Sequence, residues 1–146
     1  VWFDGVDDSV LFPTITSNIP KRIDVSFYLT APITYASSPR CVIAFNNSAP
    51  DSLSLGATTG LHTNEVIRMV FGAYSAVVLS STLTIPAGTN TLSLLVSTNS
   101  VFTLNGTELS TVTAGTCTTM NAASVGLRYG SSYPFLGGIS SVVVTK

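Results

Sequence analysis

Few residues of this chain could do covalent chemistry, and their spacing argues against it. Retaining glycoside hydrolysis needs two carboxyls about 5 Å apart. On a strand, such a pair appears as acids two or four positions from one another, because side chains alternate between faces. The two glutamates, Glu65 and Glu108, have no acidic residue at either spacing. A Ser-His-Asp device would have to use His62, the only histidine, in the turn sequence Gly60-Leu61-His62-Thr63-Asn64. No G-x-S-x-G elbow accompanies it. Cys41 and Cys117 fit no metal spacing. Either they bridge, closing a loop of about 75 residues worth a few kcal/mol, or they remain thiols, Cys41 in a core strand and Cys117 in a loop. No catalytic residue is assigned, and the chain reads as a non-enzyme.

The composition narrows the setting. A chain of 146 residues is expected to form one domain, spanning 1–146. Charged residues make up 9% of it, and 20 Ser and 20 Thr take their place. That is far below the usual quarter, and a hydroxyl-coated surface suits a rigid virion or extracellular protein. The net charge is −1, with the basic residues scattered as Lys21, Arg22, Arg40, Arg68, Arg128 and Lys146. Nucleic acid needs clustered Lys and Arg, so it is not expected as a partner. The apolar runs are too short for membrane insertion. The sequence begins at Val rather than Met, which reads as a processed product or part of something longer.

The elements that must position any site are strands. Ile23, Val25, Phe27 and Leu29 point one way, and Arg22, Asp24, Ser26 and Tyr28 the other, the pattern of a strand with one buried face. Similar segments are expected at Ser9–Pro13, Cys41–Asn46, Leu53–Gly56, Glu65–Phe71, Ala76–Leu83 and Thr91–Ser97. They continue with Val101–Leu104, Thr107–Val112, Ser124–Tyr129 and Gly138–Thr145. Asn105-Gly106 between apolar flanks is the strongest hairpin signal, because a type I′ turn needs positive φ twice. Turns are also marked at Ala31-Pro32, Asn47–Pro50, Ala57–Gly60, Pro86-Ala87-Gly88 and Gly130–Ser132, and Thr111–Thr119 reads as a long loop. Short strands with frequent turns and no helical period predict an all-β, antiparallel two-sheet β-sandwich.

Three segments carry a family resemblance. They are Trp2-Phe3-Asp4-Gly5-Val6-Asp7-Asp8-Ser9-Val10, read as a first hairpin; Asn90 to Gly106, ending in Leu104-Asn105-Gly106; and Val125-Gly126-Leu127-Arg128-Tyr129-Gly130 followed by Phe135 to Val144. In this order and spacing the chain resembles laminin-G-like domains of the concanavalin A-like lectin/glucanase superfamily. The resemblance implies a jelly roll that contacts sugars or proteins by its loops or one sheet face. The Trp-His pair common in the family is replaced by Asn90-Thr91. The β-glucanase arrangement of two Glu around an Asp on one strand is missing. The neutral, Ser/Thr-rich style is similar to modules of bacteriophage tail fibres and other virion proteins. Relatives often hold calcium, which takes six to eight oxygens, and Asp4, Asp7 and Asp8 could supply some. Without regular ligand spacing they read instead as turn caps, so no cofactor is assigned and Ca2+ is kept as the alternative.

If successive strands reverse direction, the loops 31–40, 57–64, 85–89 and 130–134 emerge at one end, with the Asn105-Gly106 turn. That end collects Tyr35, Arg40, His62 and Tyr133 as ligand-binding candidates, since aromatic rings stack on sugar faces. Trp2 is expected in the core beside Phe3 or at the sheet edge. The sequence thus predicts a non-catalytic binding or adhesion module of an extracellular or virion appendage. Its expected ligand is a glycan or cell-surface polymer, and several copies in a homo-oligomer would supply avidity for host attachment. The alternative is a structural capping, decoration or trimerisation domain whose partners are other virion subunits.

Overall fold

Period-two alternation decides which side of each strand is buried. In the computed structural model, residues 1–6, 10–11, 20–45, 51–56, 63–117, 123–125 and 135–145 are described. In chain order the strands are β1 (Trp2–Asp4), β2 (Val10–Leu11), β3 (Arg22–Leu29), β4 (Arg40–Phe45), β5 (Ser52–Leu55), β6 (Glu65–Phe71) and β7 (Tyr74–Leu79). They are followed by β8 (Gly88–Leu95), β9 (Val101–Leu104), β10 (Thr107–Leu109), β11 (Val112–Ala114), β12 (Ala123–Val125) and β13 (Leu136–Thr145). They form two antiparallel sheets, a six-stranded one in the order β1-β13-β3-β8-β9-β10 and a seven-stranded one in the order β11-β7-β6-β5-β4-β12-β2. The all-β sandwich expected from the sequence is the fold observed.

The core lies between the sheets. Ile23, Val25, Phe27 and Leu29 of β3 meet Leu53, Leu55, Ile67 and Met69 of the opposite sheet in one buried cluster. Phe135 is fully buried within it, its ring edge-on to Phe3 at 6.1 Å and to Phe27 at 6.3 Å. Such T-shaped contacts set a negative ring face against a positive ring edge. Asn105 (φ 49°) and Gly106 (φ 82°) form the expected β9–β10 turn. No disulfide joins Cys41, buried in β4, to Cys117.

Three local expectations are corrected. The described strands β1 and β2 do not pair with each other as a hairpin. β1 pairs with β13 in one sheet and β2 with β12 in the other. Gly5, at φ +83°, and the Asp4 carboxylate, accepting from the Val6 N–H at 2.8 Å, bend the chain as it leaves β1. The segment read as a loop from Thr111 contains β11, and the strand expected over 107–112 is split. Threonine hydroxyls support the crossing: Thr111 Oγ1 accepts from Phe102 N–H, and Thr113 Oγ1 from Ser100 N–H. Lastly, β7 stops at Leu79 rather than Leu83, because Ser80 Oγ accepts from the Leu83 N–H and turns the chain. The turns marked at 47–50, 57–60 and 130–132 lie outside the described residues.

Candidate functional site

The two outer faces of the sandwich differ sharply in access. On the seven-stranded sheet, the registers set Cys41, Ser54, Arg68 and Val77 in one outward row, and Ala44, Ser52, Val70 and Ser75 in another. Cys41, Ser54, Val77, Ala44, Ser52 and Val70 are nonetheless buried. Arg68 is largely buried too, its Nη1 3.8 Å from the buried carboxylate of Glu65. On the six-stranded sheet, the outward residues Arg22, Tyr28, Thr89, Thr91 and Leu95 of β3 and β8 are exposed, and Asp24, Ser26 and Ser93 are half-buried.

One row of this open face concentrates aromatic surface. Phe3 is buried, so the neighbouring Trp2 must face outward, and it is 58% exposed. The sequence expectation of a core Trp2 fails on this alternation, while the sheet-edge alternative holds, because β1 is an edge strand. The registers align Trp2 with Gly138, Gly138 with Tyr28, and Tyr28 with Thr89. Tyr28 is 44% exposed, and its ring centroid lies 5.8 Å from that of Trp2 with the planes tilted 40°. Gly138 lies between the two rings; a Cβ there would stand in ordinary contact with both, 3.4 Å from Trp2 Cε3 and 3.6 Å from Tyr28 Cβ. These residues, with Thr89 and Ser140, line a cleft of about 410 Å3.

The loop-end residues fall differently. Leu29, Arg40 and Leu136 line one cleft of about 250 Å3, so the end of β3 and the starts of β4 and β13 lie together, as strand reversal requires. Tyr35 is 37% exposed on the adjoining loop but does not line that cleft. The loop is held by the reciprocal Ile33–Ile85 backbone pair and by Ser37 Oγ, which accepts from the Thr34 N–H. His62 and Tyr133 lie outside the described residues, as do Asp7 and Asp8. Asp4 is described, and its carboxylate caps the Val6 amide. Among the described residues, no group of three or more His, Cys, Asp and Glu is gathered for a metal.

The Trp2–Tyr28 pair escaped the residue-level reading. Half of the signal is local, since alternation along β3 places Tyr28 in its outward set. The other half depends on a pairing between the two ends of the chain, which local sequence does not reveal.

No family model matches the chain, and no curated protein sequence matches it. Among solved structures, it resembles the Ruminococcus gnavus IT-sialidase CBM40 bound to α2,3-sialyllactose. The identity is 14% and the TM-score 0.50, over 95% of this chain and 89% of that one. The same module bound to α2,6-sialyllactose aligns at 13% identity and TM-score 0.51, covering 95% and 90%. The likeness is one of fold. Both are jelly-roll β-sandwiches related to the concanavalin A-like architecture, as the sequence resemblance implies.

Proposed function

We propose that this chain is a non-catalytic glycan-binding module, working as one domain of a larger extracellular or virion appendage. The observation that carries the reading is the exposed Trp2–Tyr28 pair on the open face of the six-stranded sheet. Two aromatic rings left in water on a neutral, hydroxyl-rich surface suit a ligand with one apolar face and a polar rim, which describes a sugar. The carbohydrate-binding modules that share the fold support this reading. Tyr35 and Arg40, at the adjoining end, extend the contact surface, with His62 and Tyr133 assigned to it from sequence. Binding is weak per copy, and a phage tail-fibre-like array of copies supplies avidity to a cell-surface polymer.

A glycan array tests this. The chain is expected to be retained by at least one glycan class, with binding lost on Tyr28→Ala; retention by none would refute it. The structural reading, capping or trimerisation of a particle, draws on a separate observation. Leu95 and Val143 are exposed on the same sheet face, toward its other end. A stable trimer by light scattering that dissociates on Leu95→Glu would support that role.

A further inference from the structure

The shape of the Trp2–Tyr28 cleft bears on how much of a glycan it takes, a step that rests on the glycan-binding reading above. Four neighbouring strands line it: β1 with Trp2, β13 with Gly138 and Ser140, β3 with Tyr28, and β8 with Thr89. Val1 lines it too, its amino group donating to the Ile139 carbonyl at 2.9 Å. The registers set Trp2, Gly138, Tyr28 and Thr89 in one row running across the strands. Paired strands lie about 4.8 Å apart, so the row is roughly 14 Å long from β1 to β8. The cleft volume is about 410 Å3, inside the roughly 300–1,000 Å3 range of small-molecule sites.

Contact surface along the row sets the number of sugar units. A pyranose is about as wide as a six-membered arene, so each aromatic ring seats one unit against its electron-rich face. The centroids of Trp2 and Tyr28 stand 5.8 Å apart, the separation of rings in side-by-side contact, and pyranoses joined through one bridging oxygen are spaced similarly. Past Tyr28 the row reaches the exposed Thr89, whose hydroxyl donates and accepts and so suits the rim of a third unit. Ser140 Oγ donates to the Ser26 carbonyl at 3.1 Å, which leaves its lone pairs for a sugar hydroxyl. Both ends of the row are open. β1 is an edge strand, and Trp2 is 58% exposed. β9 pairs with β8 only over Leu92–Leu95, and the chain turns at Asn105, whose N–H bonds the Thr91 carbonyl. Among the described residues, no strand continues the row past Thr89 or past Trp2. A sugar chain laid along it enters at one end and leaves at the other, which a pocket for a terminal unit would forbid.

We infer that the row Trp2–Tyr28–Thr89 binds a stretch of two or three consecutive sugar units inside a longer glycan, lying across the strands, rather than one terminal unit. Trp2 is the only tryptophan, so its emission reports directly on this row. The test prints an array with gluco-, xylo-, manno- and N-acetylglucosamine oligosaccharides of one to five units, and with sialyllactose, and titrates the retained series while following Trp2 fluorescence. Affinity is expected to rise at least about tenfold from one unit to three and little further to five, since each added unit gains a stacked ring or a hydroxyl contact. Trisaccharides capped with a methyl group at each end should bind as well as uncapped ones. Tyr28→Ala should weaken binding at every length, and Thr89→Val should shrink the gain from the third unit. Circular dichroism and melting confirm that each variant is folded. Equal affinity for one unit and for three, or loss of binding on capping, overturns the inference in favour of a terminal unit and leaves the glycan-binding reading standing. Length-dependent binding with Trp2 emission unchanged, and undiminished by Tyr28→Ala, puts the ligand elsewhere and overturns it as well. If no sugar of any length is retained, both readings fall.

Discussion

Asn90 is where the chain departs from the Trp-His pair of the family it resembles, and its replacement should be among the costliest at a polar position. The residue is buried at the start of β8, beside Thr89 of the aromatic cleft. Its amide nitrogen donates to the carbonyls of Pro86 at 2.9 Å and Gly88 at 3.0 Å. Its carbonyl accepts from Asn105 Nδ2 at 2.8 Å, and Asn105 Oδ1 accepts from the Thr91 N–H at 2.8 Å. One side chain thus ties the loop before β8 to the β9–β10 turn. Asn90→Ala removes three hydrogen bonds, each worth about 1 kcal/mol net. Asn105 is exposed and recovers water, so the expected loss is about 2–3 kcal/mol. Asn90→Asp should cost more, about 3–5 kcal/mol, because a buried carboxylate would then face two carbonyl oxygens. In urea, with m of about 1–3 kcal/mol/M, Asn90→Ala should lower the midpoint by roughly 1 M at unchanged m. A double-mutant cycle with Asn105→Ala should return a coupling of about 0.5–1.5 kcal/mol. A cost under about 0.5 kcal/mol for Asn90→Ala, the range of an ordinary surface change, or a milder loss for Asn90→Asp, would show that Asn90 does not tie the two turns together.

Two further outcomes follow from the core. Phe135→Ala removes the ring that braces Phe3 and Phe27 beneath the aromatic row, and should cost about 3–5 kcal/mol by chemical denaturation; a loss near 1 kcal/mol would mean that the ring is not packed as described. The Tyr74 phenol is held above its ordinary value of 10.0 by burial, partly opposed by its hydrogen bond to Ser100 and assisted by Cys117. Its contribution is present in full below pH 10. As pH rises further the unfolded chain releases the proton that the folded chain retains, so stability falls, by at most about 1.4 kcal/mol per pH unit, until the folded pKa is reached. Tyr74→Phe should therefore be about 1 kcal/mol less stable at pH 7, yet lose less stability above pH 10; parallel stability-against-pH curves would contradict this.

The sheets were legible in the sequence because period two is local and strong. The eight residues of β3 were sorted correctly by face, and the left-handed pair Asn105-Gly106 announced its own turn. The errors arose where pairing is long-range or where side chains stand in for ladder partners. Nothing near Trp2 says that its strand pairs with residues 136–138 rather than with Val10. The run Thr111–Thr113 looks like a polar loop, yet its hydroxyls satisfy amides of β9 and of the turn before it while the chain changes sheets. The candidate site was legible only by halves. Of the loop ends expected together, the end of β3 and the starts of β4 and β13 meet at a cleft that Arg40 lines, while His62 and Tyr133 lie outside the described residues. The aromatic pair required the β1–β13–β3 register, which brings together residues more than a hundred positions apart.

The binding and structural readings draw on different ends of one sheet face, and this allows both. Val143 pairs with Asp24, and Leu95 with Arg22, placing them four and six residues along β3 from Tyr28. At the strand rise that is about 13–20 Å, farther than a sugar ring seated on Trp2 would reach. Copies that associate through Leu95 and Val143 would leave the Trp2–Tyr28 corner open. Low charge suits both readings, for neither stacking on aromatic rings nor a self-complementary apolar contact needs a strong field. A neutral surface also forgoes electrostatic steering, which leaves association near the unsteered rates of about 10⁵–10⁶ M⁻¹s⁻¹. On the proposed reading, retention on a polymer would come from many weak contacts presented together. The same face would hold the copies in place and, at its other corner, give each of them a sugar to grip.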